Sequence, residues 1–509
     1  MAWTITVDIG TTAMKIGLFT EQFVCLGMIH SEYELEHPRA GWMELSAEVY
    51  IDKMNSGILE LMTSFPLAKN CVGAICLTSQ GETLIFADHK NEPLYPAIIW
   101  LDGRADVEAA EISSVISNQL FYRKTGMPEN NPSMPASKVR WFADHYPDLF
   151  ERTQKIFLLV DWLAFYLCGR VVTDEAIQTS TGWFDINTRT LWMEMLEEIS
   201  LHTSQIPEIL PCGSQAGALL SHVADAFGLR NDVQVVLCGM DQVSSAIGGG
   251  NFKPGIVCET TGTALVLSAT TTRPDYERPE QISFLAHVNH NYLMLPYCPT
   301  AGMLLKWFRR EFADKEEQES LKSGVSVYQL MDSLAETGSG YEKGLFLLPD
   351  FEGRLTPKPN SNARGVLFGL TLETKRADIV RAILEAISFM LRENIEMIEA
   401  YGITVDAIRS LGGGANSKLL GEIKADILQK QIFPQSFVES TSLGAAMLGQ
   451  VALGTYPDLD SAFSVVTATM GTSEKYFLPN NDKSEAVNIA YAQYQRIYHG
   501  LLESFMHSL

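Results

Sequence analysis

Apolar residues first gather in a short β-branched run, Thr4 to Val7, break at Asp8-Ile9-Gly10-Thr11-Thr12, and resume from Lys15 to Phe19. That pattern predicts strand, tight turn, strand. The same design recurs half a chain length later: Gly255 to Glu259 leads into Thr260-Thr261-Gly262-Thr263-Ala264 and then Leu265 to Leu267. A repeat of this period predicts two domains descended from one hairpin-led unit. Between the hairpins, apolar runs (Val72 to Leu77, Ala97 to Trp100, Ile156 to Val160, Val233 to Leu237) alternate with helical periodicity at Ser46 to Ser64, Lys138 to Phe150 and Asp161 to Leu167. This alternation argues an α/β architecture. After the second hairpin the pattern is more helical, with Gly302 to Phe312, Arg376 to Tyr401 and Lys418 to Gln429 carrying apolar residues at helical spacing. Gly248-Gly249-Gly250 and Pro254 interrupt any element, which sets the expected boundary near Asn251 to Gly255 and the domains at 1–250 and 251–509. A crevice between the halves is the expected ligand site.

Length agrees, because a chain of 509 residues exceeds the roughly 250 to 300 at which single cores stop growing. The hydrophobic fraction of 46% and charged fraction of 19% are those of a globular protein. Charge changes the picture: 38 Lys and Arg against 61 Asp and Glu give a formal charge of -23, a poor match for nucleic acid or anionic lipid. An anionic ligand therefore needs locally concentrated cations or backbone N–H groups. The eight cysteines are scattered without C-x-x-C pairs, which favours buried thiols over disulfides or zinc. No signal peptide or membrane-length apolar run is seen, and a cytoplasmic location is expected.

A turn of small residues lets several N–H groups face one anion, so Gly10, Thr11 and Thr12 on one side and Gly262 and Thr263 on the other are candidate phosphate holders. Either turn alone could merely reverse the chain. Asp8, just before the first turn, is a candidate Mg²⁺ ligand through water, or else an Asx-turn cap. Asp241 follows the apolar run at a strand's carboxyl end, where a carboxylate can take the proton of an attacking hydroxyl; its plainer reading is the N-cap of a helix beginning at Gln242. The run Leu411-Gly412-Gly413-Gly414-Ala415-Asn416-Ser417 joins a strand to a helix and permits close approach of a flat ring. Neither the dinucleotide fingerprint nor a Walker A loop is present.

Together these residues resemble the FGGY family of carbohydrate kinases, in the actin-like ATPase superfamily, from Asp8 to about Gly454. Ser133 to Trp141 looks like the family's first signature, Gly369-Leu370-Thr371 through Ala386 its second, and Glu439 to Ala446 its C-terminal Glu-Ala-x-x-Leu-Gly-Ala-Ala stretch. The resemblance implies a two-domain α/β actin-like (ribonuclease H-like) fold with the ligand cleft between the domains, and ATP-dependent phosphorylation of a sugar hydroxyl. By the same resemblance Asp241 would be the general base, Asp8 would support Mg²⁺, and Gln80, Gly81, Glu82, Asp241 and Gln242 would hold the sugar. Gly10 to Thr12, Gly262 and Thr263 would hold phosphates, with Ala301, Gly302, Gly413, Gly414, Ala415 and Asn416 around the adenosine. Trp100, in a Trp-x-Asp-x-Arg stretch, is expected in the core.

The match frays at substrate choice. Glycerol kinases carry Gln-Arg-Glu-Thr where this chain has Gln80-Gly81-Glu82-Thr83, and a Tyr near Ser133; losing both favours a larger acceptor. Xylulokinases usually show Gln-Met-His-Gly there and Asp-Asn at Asp241-Gln242. Gly353-Arg354-Leu355-Thr356-Pro357 departs from Gly-Glu-Arg-Thr-Pro and is given no site role. The expected function is a pentulose kinase, D-xylulose leading, with glycerol, erythritol, ribulose or gluconate as other acceptors. The rival is an actin-like ATPase without a sugar substrate. A homodimer is left open.

Overall fold

Trp3–Ile9 (β1) and Ala13–Phe19 (β2) form the first anticipated hairpin, with Asp8 opposite Lys15 and Ile9 opposite Met14. The computed structural model describes residues 2–435, 439–470 and 476–506. Cys25–Glu32 (β3) pairs antiparallel with β2, while Val72–Ser79 (β4) lies parallel to β1. Gln215–Ala218 (β5) and Gln234–Met240 (β6) complete a sheet ordered β5-β6-β4-β1-β2-β3. Nearly every residue of β4 is buried, which is why its sequence reads as a continuous apolar run and not as an alternation.

Gly255–Thr261 (β7) and Leu265–Thr271 (β8) repeat the hairpin. With Phe284–Ala286 (β9), Tyr292–Met294 (β10), Val405–Leu411 (β11) and Ile432–Pro434 (β12) they build a second sheet, β9-β10-β8-β7-β11-β12, to which Tyr297–Cys298 adds a short edge on β8. The half-chain repeat is a repeat of topology. In both sheets the opening strand is central, antiparallel to its hairpin partner and parallel to a strand that arrives much later. This duplicated α/β arrangement is that of the actin-like ATPases.

A helix follows the last parallel strand of each sheet, Asp241–Gly248 after β6 and Ser440–Ala452 after β12. The two cross at backbone contact. A Cβ on Gly248 would stand 2.0 Å from the Ser440 carbonyl oxygen, and one on Gly444 would stand 1.9 Å from that of Ser244. Only glycine fits either position, and the Ser245 and Ser440 hydroxyls meet at 2.8 Å beside the crossing. Two apolar cores result, one under each sheet. Leu443, Met447, Leu448 and Phe463 belong to the first core although they follow the second sheet in sequence, while Tyr122 and Phe184 belong to the second. The expected boundary at 250 separates the sheets but not the cores.

Local departures have simple causes. The helix expected over Lys138 to Phe150 begins earlier, at Pro135, and is cut into Pro135–His145 and Pro147–Arg152 because Pro147 has no N–H to continue the first and starts the second. The run Ile156 to Val160 is a strand only to Leu158, then a helix from Leu159. Arg354 is buried, forked on Asp350 at 2.8 and 3.1 Å and stacked 3.7 Å over the Tyr498 ring, so it ties its loop to the helix Ser484–Gly500. Among the described residues no helix is long and apolar enough to cross a membrane.

Candidate active site

Ile9, Ser79 and Met240, the last residues of β1, β4 and β6, are register neighbours across three adjacent parallel strands. The residues that follow them, Gly10, Gln80 and Asp241, therefore emerge side by side at one sheet edge, where open α/β sheets bind ligands. The Gln80 N–H donates to the Ile9 carbonyl at 2.8 Å, closing that edge. The first turn is braced from outside by Tyr33, whose N–H donates to the Thr12 carbonyl at 3.0 Å and whose hydroxyl donates to the Gly10 carbonyl. Trp100, expected in the core, is only partly buried, and its indole N–H donates to the Thr11 hydroxyl at 2.9 Å.

This edge is acidic. Burial, and then the neighbouring Asp241, lift the Asp8 carboxyl to about 7, against the lowering effect of Lys15. Burial likewise lifts Asp241 to about 6, with Glu82 adding to the rise while the Gln242 N–H, donating at 2.7 Å, and Lys15 oppose it. The helix begins at Asp241 itself, behind Met240, so the carboxylate is not its N-cap. Lys15, which sequence reasoning passed over, lies opposite Asp8 and pairs with Glu439 at 2.6 Å. Its alternation onto the same face of the hairpin as the Asp8 side was the available signal.

Glu82 takes a left-handed backbone, φ 59°, a conformation that costs a non-glycine residue on the order of 1 kcal/mol and clusters at functional sites. Burial raises its carboxyl, and the ammonium of Lys138 opposes the rise. Gly81 beside it has no room for a Cβ, which would come within 2.8 Å of the Ser180 hydroxyl and 3.2 Å of the Met240 methyl. Gln80 is 5% exposed, and its amide, with the buried Tyr50 hydroxyl beside it, makes no hydrogen bond of good geometry among the described residues. A buried amide left unpaired is costly unless a ligand completes it.

The second hairpin faces a cavity of about 800 Å³ in the other half of the molecule. Gly262, Thr263, Gly302, Gly413, Gly414 and Asn416 line it. Ala301 does not, being fully buried; its N–H and those of Gly302 and Met303 donate to the Thr263 and Gly262 carbonyls at 2.9 to 3.1 Å, so the helix Gly302–Phe312 starts as a brace on the turn. Gly302 is obligatory there, since a Cβ would meet the Gly262 oxygen at 2.2 Å. The register pair Thr260 and Leu411 brings the glycine-rich turn alongside, and a Cβ on Gly414 would strike Thr261 at 2.6 Å. Ala415 lies in that turn outside the cavity lining, and the Ser417 hydroxyl caps the helix Lys418–Leu428 by accepting the Leu420 N–H at 3.0 Å. Lys306, Gln329 and Asp332 also line the cavity and were missed, because they sit on helix faces that nothing local marks as functional. Lys306 donates to the Thr263 hydroxyl at 3.3 Å.

The FGGY family of carbohydrate kinases matches this sequence twice, its N-terminal domain over residues 3–248 and its C-terminal domain over 255–453. The chain belongs to that family. This FGGY kinase is 25% identical to the xylulose kinase of Lactococcus lactis over 98% of its own length and 97% of the relative's. It is 24% identical to the gluconokinase of Bacillus subtilis, covering 91% and 90% of the two chains, and 28% identical to the glycerol kinase of Streptococcus pyogenes, covering 89% of each. Its fold superposes on the xylulose kinase of Lactobacillus acidophilus with a TM-score of 0.87 at 24% identity, over 99% of both chains. The FGGY kinase is thus an ATP-dependent sugar kinase.

Proposed function

We propose that this FGGY kinase phosphorylates a pentulose, D-xylulose first among them, with Asp241 as the general base. The observation that carries the reading is the emergence of Asp241, Gln80 and the Gly10 turn side by side from neighbouring strand ends. The acceptor hydroxyl gives its proton to the Asp241 carboxylate as its oxygen bonds to the γ-phosphorus of ATP, and the bond to the bridging oxygen breaks to release ADP. Gly10, Thr11 and Thr12 on one hairpin, and Gly262 and Thr263 on the other, hold the phosphates. Gly302, Gly413, Gly414 and Asn416 surround the nucleoside in the large cavity, with Ala301 bracing the Gly262 turn and Ala415 part of the glycine-rich turn.

The donor set suits Mg²⁺. Among the described residues no three acidic, His or Cys side chains converge as a protein cage, but Mg²⁺ is ordinarily held by one or two carboxylates together with waters and substrate phosphates. Asp8, lifted to about 7 by burial and by Asp241, gains from a neighbouring cation, which when bound would neutralise charge on the transferring phosphoryl group.

The acceptor reading rests on shape and charge. Gly81 offers no side chain where glycerol kinases carry the arginine of Gln-Arg-Glu-Thr, and a Cβ there would press on Ser180 and Met240, so this chain lacks that fork for a three-carbon polyol. Glu82, Asp241 and Asp8 make the pocket acidic, which favours an uncharged ketose over a sugar acid such as gluconate. A coupled ADP assay over pentuloses, erythritol, glycerol and gluconate tests this. D-xylulose is expected to give the highest kcat/KM, and a preference for gluconate or glycerol would reject the assignment.

A further inference from the structure

We propose that Lys138 is a positioning residue for phosphoryl transfer: its ammonium, sealed inside the first domain, locks the acceptor turn at Gly81-Glu82 to the Ile99-Trp100 segment and through it to the first phosphate hairpin. The inference rests on the sugar-side assignment of Glu82 and on the phosphate role of the Gly10 turn. Lys138 lies on the helix Pro135–His145 and is fully buried. Its Nζ donates to three main-chain carbonyls, those of Ile99 at 2.8 Å and of Trp100 and Glu82 at 3.3 Å each.

Burial lowers the Lys138 amine to about 7 against the charges of Glu82 and Asp102, and in its charged form, with three donors and no acceptor, it is satisfied completely by three carbonyls from two separate segments. A buried cation is unfavourable unless it is so satisfied, and a methionine would fill the same volume without the charge. What the lysine alone supplies is a single point from which both segments are held. Each segment ends in a group at the reaction edge. Glu82 presents its carboxylate from a left-handed backbone that turns its own carbonyl toward the lysine. The Trp100 N–H donates to the Thr83 hydroxyl at 3.2 Å, and its indole N–H donates to the Thr11 hydroxyl at 2.9 Å. The chain of contacts therefore runs from acceptor turn to lysine to Trp100 to hairpin. Asp102, also near Lys138, is already engaged by Arg104 at 2.7 Å on each oxygen, which leaves Glu82 as the carboxylate whose placement the lysine governs.

The test is Lys138→Met, which keeps length and bulk but removes all three donors. The expected result is a rise of about tenfold in KM for the acceptor and a fall in kcat, with KM for ATP within about twofold, because misplacing an acceptor by a fraction of an ångström is read in these constants and the nucleotide cavity lies in the other domain. Lys138→Gln, with two N–H donors on a shorter stem, should fall between wild type and Lys138→Met. A purely structural lysine would lower the fraction of active enzyme and leave both KM values where they were, and that result overturns the proposal. Should neither variant fold, Trp100→Phe keeps an aromatic ring while losing the indole N–H to Thr11 and part of the ring's bulk; a kcat reduced about fivefold at an unchanged thermal midpoint supports the relay, and an unchanged kcat overturns it. The substrate assignment fails separately: if the wild-type enzyme turns over some other polyol but not D-xylulose, the same variants are measured with that polyol.

Discussion

At Asp241, burial and neighbouring charge act together on one carboxylate, and function and stability pull in opposite directions. Because its folded value is raised to about 6 from the ordinary 3.8, the ionised form weakens the fold at neutral pH, and that penalty fades as pH falls from about 6 to below 3.8. Asp241→Asn removes the charge while keeping the shape. Turnover should drop by about 10² to 10⁴, the usual worth of a general base, while the thermal midpoint rises at pH 8 and nucleotide binding by calorimetry persists. A variant with undiminished turnover rejects the base assignment. In the wild type, Asp8 at about 7 and Asp241 at about 6 titrate as a pair. On the proposed mechanism both act ionised, so kcat/KM in the free enzyme should be flat at alkaline pH and fall as pH drops from about 7 to 6. A profile that stays level down to pH 5 would contradict this.

Among the elements, the crossing of the helices Asp241–Gly248 and Ser440–Ala452 carries the most information. Both glycines stand within a helix, where alanine has the higher propensity, yet neither site admits a Cβ. Gly444→Ala should therefore destabilise by about 2 kcal/mol, read as a lower denaturant midpoint, because the helices must separate to relieve a contact with backbone. Alanine at Gly402, where nothing stands within 4 Å, meets no such contact and is opposed only by its left-handed backbone at φ 78°. The separation also tilts Asp241, the first residue of one of the two helices, so Gly444→Ala should reduce activity more than stability alone explains.

Over the whole molecule, a chain of formal charge -23 needs local donors to receive an anionic nucleotide, and on the proposed reading the small-residue turns with Lys15 and Lys306 beside them supply these. The cores are interlaced. A fragment ending at residue 250 would keep its sheet but lose Leu443, Ala446, Met447, Leu448 and Phe463 from beneath it. It should aggregate or show loosened tertiary packing by near-ultraviolet dichroism, whereas a monomeric, cooperatively unfolding fragment would show that the interlacing is dispensable.

Local chemistry made much of this legible before any coordinates. Hairpins, strand runs and glycine turns depend on neighbours within a few residues, so Thr4 to Phe19, Gly255 to Leu267 and Leu411 to Ser417 could be read directly, and a carboxylate after an apolar run could be picked out at Asp8 and Asp241. Contacts between residues tens to hundreds of positions apart leave no such trace. The pairing of Lys15 with Glu439, the return of Ser440–Ala452 to the first core, the indole of Trp100 on Thr11 and the burial of Lys138 beneath two turns arise only once parallel strands bring distant segments into register. Burial and charge are properties of that assembled neighbourhood, and so the pKa shifts along the acidic edge exist only in the folded molecule.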